Sequence, residues 1–257
     1  MKESINLNGK NIYVEHHENH PGQSTLVFLH DSLGSTELWR DFPEKLAQKI
    51  GCNWLSYDRL GYGKSDAMPT HERPVNYMEI EAEFLIDLLK KRNIERPIVF
   101  GHCDGGTIAL WAAAKYPDYF SAIIVEAAHI FVEGITLEGV RSAKESYATT
   151  NLKERLERYH GDNTDTLFNA WTETWLREDY RMWSIESILH TIECPVLFIQ
   201  GEKDEYGTLQ QMHKTLDKIN PFTDHLIIPD VGHTPHKEKP DDVMQKTVEF
   251  LKSALKQ

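Results

Sequence analysis

Short apolar runs alternate along this chain with longer stretches in which apolar residues recur every three or four positions. The runs at 25–29, 53–57, 97–100, 120–125, 194–200 and 225–228 predict buried strands. The stretches between them predict helices with one apolar face, as at 77–92, where the core face is predicted to consist of Ile80, Phe84, Leu85, Leu88 and Leu89. Strands that alternate with helices indicate an α/β fold with a mostly parallel central sheet flanked by helices, and residues 5–15 add a hairpin that turns at Asn8-Gly9.

The pattern changes between residues 131 and 189. No strand-like run occurs there, charged and aromatic residues are frequent, and helical spacing dominates. We therefore predict a helical insertion at 131–189 within a core domain formed by residues 1–130 and 190–257. Two of its aromatic residues, Trp171 and Trp175, are candidates for the wall of an apolar pocket, although packing against the core explains them equally well.

The strand at 97–100 is followed by Gly101-His102-Cys103-Asp104-Gly105-Gly106 and then by a predicted helix. A nucleophile on such a strand–turn–helix bend has glycine on both sides, because the strand and the helix approach each other closely there. The position also lies at a helix N-terminus, which lowers the pKa of a thiol. We predict that Cys103 is a nucleophile; the alternative is a buried structural cysteine in a glycine-rich turn.

Two further reactive side chains follow later strands. Asp204 comes after the strand at 194–200, and His233 comes after the strand at 225–228. Because the carboxyl ends of parallel strands meet at one edge of a sheet, Cys103, Asp204 and His233 are predicted to converge as nucleophile, acid and base. The alternatives that remain are Glu202 or Glu205 as the acid and His236 as the base.

Other strand ends carry polar residues that are further candidates for the substrate pocket, namely His30, Glu126 and His129. His30 follows one predicted strand and opens a loop of small residues, which can direct backbone N–H groups at a substrate oxygen. Glu126 and His129 follow another strand, where they would either orient substrate or form a hinge. Asp58 and Arg59 are predicted to pair with each other and pin a tight turn, with no part in the chemistry.

Composition narrows the classes of function. A formal net charge of −12 disfavours a nucleic-acid partner, and no apolar stretch is long enough for a membrane span. The N-terminus lacks the apolar segment of a signal peptide, and three widely spaced cysteines suggest no disulfide framework, so a cytoplasmic protein is expected. We predict no metal and no cofactor; the expected partner is a small-molecule acyl substrate.

These motifs together resemble the α/β-hydrolase fold superfamily over nearly the whole chain. The resemblance is carried by residues 29–35, 57–65, 101–106, 195–204 and 232–233. It implies the chain order nucleophile, acid, base, a cap at 131–189 over the site, and an oxyanion hole formed by the backbone N–H groups of Ser32 and Asp104. The chain departs from the family pattern at two positions, because serine is usual where Cys103 stands and glycine is usual where Asp31 stands.

The predicted reaction is hydrolysis of an ester or thioester. A thiol suits acyl transfer through a thioester intermediate, with leaving-group protonation by His233 and deacylation by water. Two other functions stay open: a carbon–carbon bond hydrolase of the aromatic-degradation type, and a non-catalytic protein that binds a ligand on the same fold. A further interpretation of Cys103 is a serine-hydrolase site in which cysteine replaces serine.

Overall fold

An eight-stranded sheet forms the centre of the computed structural model, which describes residues 1–219 and 222–255. The strands are β1 (Lys2–Leu7), β2 (Lys10–His17), β3 (Thr25–Leu29), β4 (Asn53–Tyr57), β5 (Ile98–His102), β6 (Ala122–Glu126), β7 (Val196–Gly201) and β8 (Thr223–Ile228). Their order is β1-β2-β4-β3-β5-β6-β7-β8, and all neighbours from β4 to β8 are parallel. The predicted α/β fold with a mostly parallel sheet is confirmed.

Helices cover both faces of this sheet. They are α1 (Phe42–Ile50), α2 (Tyr77–Lys91), α3 (Asp104–Lys115), α4 (Gly134–Thr149), α5 (Leu152–His160), α6 (Thr164–Leu176), α7 (Leu209–Lys218), α8 (Pro235–Glu238) and α9 (Pro240–Ala254). One apolar core packs α2 and α3 against the sheet, and a second packs α1 and α9 against the opposite face. Strands β3 to β7 are buried at every position, which explains their continuous apolar sequences.

The N-terminal hairpin forms the antiparallel edge of the sheet. It turns at Asn8-Gly9, where both residues have positive φ angles of 53° and 80°. Asparagine and glycine tolerate this left-handed backbone, and such a turn matches the twist of the flanking strands. The predicted hairpin is therefore confirmed, and its second strand joins the rest of the sheet by antiparallel pairing of β2 with β4.

The apolar face of α2 is narrower than its sequence suggests. Leu85, Leu88 and Leu89 are fully buried, but Ile80 is 51% exposed and Phe84 is only partly buried. The prediction that Ile80 belongs to the core is wrong, because it lies at the flank of the buried stripe, where the helix surface turns towards solvent.

The segment between β6 and β7 contains the three helices α4, α5 and α6. Its extended structure, in the part of the chain that the structure describes, is limited to an isolated bridge between Phe131 and Ser184. These helices carry the residues that close one side of the cavity described below. Among residues 1–219 and 222–255, no helix combines the length and the apolar character that a membrane crossing requires.

Candidate active site

Cys103 lies on a strained bend between β5 and α3. Its φ angle is 54°, a left-handed value that a residue with a side chain adopts only when its surroundings enforce it. The bend is possible because a Cβ on Gly101 would lie 2.2 Å from the carbonyl oxygen of Gly105, and a Cβ on Gly105 would lie 2.1 Å from that of Leu29. The glycines therefore allow the close approach that presents the thiol above the sheet edge.

His233 and Asp204 form a buried hydrogen-bonded pair in the loops that follow β8 and β7. Nδ1 of His233 donates to Oδ1 of Asp204 at 2.8 Å. Burial opposes a charge on either group, but their mutual attraction outweighs it. The pKa of His233 is raised well above its ordinary value, with a further contribution from Cys103, and the pKa of Asp204 is lowered. The pair is thus arranged as a base and its orienting acid.

Three other donors hold the carboxylate of Asp204 in place. The backbone N–H groups of Tyr206 and Gly207 donate to Oδ1 at 2.8 and 3.3 Å, and the amide of Gln200 donates to Oδ2 at 2.6 Å. Because the carboxylate is fixed in this way, it holds the His233 ring in one orientation and one tautomer. Gln200 carries no local sequence signal beyond its place near the end of β7.

The alternative acids and base occupy other positions. Glu205 binds the backbone N–H of His233 at 3.2 Å, so it supports the loop of His233 and not its ring. Glu202 is exposed. Nδ1 of His236 donates to the carboxylate of Glu126, and the backbone N–H of His236 donates to the same group at 2.7 Å.

The Cys103 thiol lies in a basic environment although it is buried. Burial favours the neutral thiol, but the His233 and His129 imidazoles outweigh that effect and lower the pKa of Cys103. The other two cysteines behave in the opposite way, since burial raises the pKa of Cys52 to about 11 and that of Cys194 to about 12. Cys103 is therefore the thiol best suited to act as a nucleophile.

The residues predicted to supply the oxyanion hole flank this thiol. Oγ of Ser32 lies 3.8 Å from Sγ of Cys103. Asp104 is the first residue of α3, where backbone N–H groups point out of the helix N-terminus. Its side chain turns away into the protein, where it accepts from the Tyr77 hydroxyl at 3.1 Å and lies 3.8 Å from the guanidinium of Arg59. The Asp104 side chain is therefore not directed at the thiol, and Asp104 is not part of the lining of the cavity described below.

A small cavity of about 80 Å³ opens above the thiol. It is lined by Asp31, Ser32, Leu33, Cys103, His129, Thr136, Val140, Trp171, Trp175, Tyr206 and His233. The structure therefore places the predicted nucleophile, the predicted base and four more predicted site residues around one space. Sequence reasoning missed Leu33, Thr136, Val140 and Tyr206. Of these, only Tyr206 carried a signal, because it lies two positions after Asp204.

Two residues predicted to line the pocket do not. His30 is buried below the loop: Nδ1 donates to the carbonyl oxygen of Asp31 at 2.8 Å, and Nε2 accepts the backbone N–H of Arg59 at 3.1 Å. Burial, followed by the charge of Arg59, keeps the pKa of His30 well below its ordinary value, so the ring is neutral and structural. Glu126 ends β6 fully buried, with its carboxylate bound to His236 instead of facing the cavity.

Asp58 and Arg59 also differ from the prediction, because they do not pair with each other. Asp58 accepts backbone N–H groups from Thr36 and Lys64, at 2.6 and 2.8 Å. Arg59 reaches in another direction and donates to the carbonyl oxygen of Asp31 at 2.7 Å. Both residues thus stabilise turns, as expected, but through separate backbone partners.

Within the described residues, one buried group has the composition of a metal site. Ligand atoms of His102, Glu126 and His236 all lie within 4.8 Å of one another. The hydrogen bonds of Glu126 to His236, and that of His102 Nε2 to the carbonyl oxygen of His233 at 2.8 Å, already use these atoms. We therefore interpret the cluster as a structural support for the loop that carries His233.

A nucleophile elbow, a histidine–carboxylate pair on later strands and a mostly parallel sheet define a class, the hydrolases of the α/β type. Comparison with known proteins agrees: the family model for the α/β hydrolase fold matches residues 24–185, and the chain belongs to this family.

Individual relatives are distant. The chain is 27% identical over 212 residues to the human serine hydrolase BPHL, and the alignment covers 78% of this chain and 69% of BPHL. It is 22% identical over 284 residues to a 2-hydroxy-6-oxo-6-(2'-aminophenyl)hexa-2,4-dienoic acid hydrolase of Metapseudomonas resinovorans, with 97% and 94% covered. A carboxylesterase structure from Nitrososphaera gargenis superimposes with a TM-score of 0.79 at 22% identity, over 100% of this chain and 99% of that one. Hydrolase activity is what these relatives have in common.

Proposed function

We propose that this protein hydrolyses the ester or thioester bond of a small acyl compound, with Cys103, His233 and Asp204 as its triad. The observation that carries the proposal is the buried 2.8 Å hydrogen bond between His233 and Asp204, next to a thiol whose pKa is lowered by His233. A thiolate is the reactive form of cysteine, and an oriented imidazole is the group that acyl transfer needs beside it.

The geometry supports a two-stage reaction. The Cys103 thiolate attacks the acyl carbon, and the carbonyl electrons move to the oxygen, which the backbone N–H groups of Ser32 and Asp104 would stabilise. The bond to the leaving group breaks, and the protonated His233 gives that group its proton. In the second stage, the now neutral His233 takes a proton from water, the resulting hydroxide attacks the thioester, and the Cys103 thiolate departs, which restores the starting state.

The cavity favours short, uncharged acyl groups. Its volume of about 80 Å³ is smaller than the roughly 300–1,000 Å³ of a typical ligand pocket, and the helices α4 and α6 supply mainly apolar walls. Asp31 lies in the lining, and the charges of His102 and Lys237 overcome its burial and lower its pKa to about 2. A carboxylate in the lining of the cavity repels anionic substrates.

The same carboxylate argues against carbon–carbon bond hydrolysis of the kind that the Metapseudomonas relative's name describes. The substrate in that name is a dienoic acid, which carries a negative charge at neutral pH. Asp31 would disfavour such an anion at the position next to Ser32. An acyl ester without charge meets no such penalty.

A panel of p-nitrophenyl esters tests the proposal. We expect turnover that is highest for acetate and falls for long acyl chains, and that is lost in Cys103→Ala. Cys52→Ala is the matched control, because Cys52 is also buried but has a raised pKa and lies away from the cavity. Activity that survives Cys103→Ala, cleavage of a vinylogous diketone without ester turnover, or ligand binding without any turnover would each refute the proposal.

A further inference from the structure

A second imidazole lies beside the Cys103 thiol. His129, in the loop after β6, is 2% exposed and lines the same cavity as Cys103 and His233. Its ring centroid is 5.9 Å from that of His233 and 5.2 Å from that of Trp175. Of these two imidazoles, only that of His233 takes part in the reaction proposed above.

The surroundings of His129 fix its ring and its tautomer. Its backbone is tied to α3 through Thr107, whose hydroxyl accepts the His129 N–H at 3.1 Å and donates to the His129 carbonyl at 2.7 Å. In the ring, Nε2 donates to the backbone carbonyl oxygen of Tyr206 at 3.1 Å. Because that carbonyl can only accept, Nε2 keeps its proton, and Nδ1 of a neutral ring is an acceptor.

The other ring nitrogen of His129 is Nδ1. It is buried, and it forms no hydrogen bond within the residues that the structure describes. A buried acceptor without a partner is costly, so its occurrence in a cavity lining calls for a donor from a reacting group. The Cys103 thiol lines the same cavity and carries a proton that it can donate.

We propose that His129 is a second base for the Cys103 thiol, so that two imidazoles share nucleophile activation while the His233–Asp204 pair alone activates water. In this step the S–H bond breaks, its electron pair stays on sulfur, and the proton forms an N–H bond at Nδ1 of His129. The product is a thiolate that accepts a hydrogen bond from an imidazolium. Only the second part of this inference, the activation of water by the His233–Asp204 pair, rests on the proposed hydrolytic function.

The charges around the two rings favour this division. Asp204 binds His233 directly and makes it the stronger base, whereas the only ring partner of His129 among the described residues is a neutral carbonyl. Burial disfavours the imidazolium of His129, but Cys103 outweighs it and raises the pKa of His129 despite repulsion by His233. The other titratable groups near the thiol and the two rings are Asp31, His102, Asp104, Asp204, Glu205 and Tyr206.

The pH dependence of iodoacetamide alkylation at Cys103 tests whether both imidazoles activate the thiol. His129→Gln keeps a donor for the Tyr206 carbonyl but removes Nδ1, and His233→Asn keeps a donor for Asp204 but removes Nε2. We expect each substitution to move the midpoint of alkylation upward by about one pH unit, and the double variant to move it further. His16→Gln, a buried histidine in β2, is the control and leaves the midpoint unchanged. A His129→Gln profile that superimposes on the wild-type profile overturns the proposal.

Pre-steady-state hydrolysis of p-nitrophenyl acetate tests whether His233 alone activates water. Because p-nitrophenolate leaves without needing a proton, acylation and deacylation can be followed separately. We expect His233→Asn to give a burst of one equivalent with almost no later turnover, and His129→Gln to slow the burst while deacylation continues. Equal loss of both phases in His129→Gln would contradict the division of roles. If the wild-type protein shows no burst and no turnover while alkylation still depends on His129, the proposed hydrolysis fails and the pairing of thiol and His129 stands.

Discussion

Replacing Asp204 by asparagine isolates the charge of the triad from its geometry. The amide oxygen of asparagine can still accept from His233 Nδ1 and from the backbone N–H groups of Tyr206 and Gly207. The new amide nitrogen meets Gln200, whose side-chain oxygen has no hydrogen-bond partner among the described residues and can rotate in to accept from it, with loss of the 3.2 Å hydrogen bond from the Gln200 amide to the Gly207 carbonyl oxygen. The substitution therefore keeps the hydrogen bond to His233 while it removes the negative charge.

The magnitude follows from Coulomb's law. Two unit charges about 4 Å apart attract each other by about 4 kcal/mol at an effective dielectric constant of about 20. The pair is buried with its nearest atoms at 2.8 Å, so this value applies without much screening by solvent. Since about 1.4 kcal/mol corresponds to tenfold in rate, kcat/KM for p-nitrophenyl acetate at pH 7 falls roughly a thousandfold in Asp204→Asn.

The assay is steady-state hydrolysis together with a thermal unfolding curve, to confirm that the variant is folded. Asp230→Asn is the matched control, because Asp230 is exposed in the turn after β8 and its positive φ of 60° also suits asparagine. We expect it to keep wild-type activity. A folded Asp204→Asn variant that loses less than about tenfold would refute the reasoning that the carboxylate stabilises a charged His233.

Three other predictions concern the thiol, the elbow and the buried support below it. At pH 7, iodoacetamide labels Cys103 rapidly while Cys52, with a pKa of about 11, stays unlabelled on the same timescale in peptide mass spectra; equal slow labelling of both would contradict a lowered pKa at Cys103. Gly105→Ala places a Cβ 2.1 Å from the Leu29 carbonyl oxygen, so we expect a lower melting temperature and loss of ester hydrolysis. A normal melting temperature with normal hydrolysis would show that the elbow tolerates a side chain. Glu126→Ala removes a buried carboxylate whose pKa is lowered by its histidine partners against the effect of burial, and we expect it to cost about 3–5 kcal/mol of unfolding free energy in urea titrations at neutral pH. The lowered pKa of Glu126 gives stability above about pH 4.5 that is lost on acidification, so the stability difference between variant and wild type shrinks at acid pH. A difference that stays constant with pH would argue against ionic pairing.

The core of the site could be predicted from the sequence because local sterics and topology determine it. Gly101 and Gly105 mark a bend that only glycine allows, and Cys103 between them is the residue the bend presents. Asp204 and His233 follow strands that lie beside each other in the sheet, so their loops were expected to meet. The structure places their side chains 2.8 Å apart.

The partners of near-equivalent groups could not be predicted in the same way. Glu205 lies next to Asp204 in sequence, but the direction of its side chain sends it to a backbone N–H. The end of a strand is where the sequence predicts Glu126 to orient substrate or form a hinge, yet its contact with His236 spans 110 residues and depends on the packing of two loops. Long-range contacts of this kind leave no periodic signal along the chain. The same is true of the empty acceptor on His129, which only the three-dimensional surroundings of its ring reveal.

Trapping the acyl-enzyme tests directly whether Cys103 is the nucleophile. His233→Asn is mixed with p-nitrophenyl acetate, quenched in acid, and analysed by intact mass and by peptide mapping. We expect one acetyl group per chain, attached to Cys103 and absent when Cys103→Ala is added to the same background. An acetyl group on a different residue, or wild-type turnover without any acetylated Cys103 in the trapped variant, would contradict that role of Cys103.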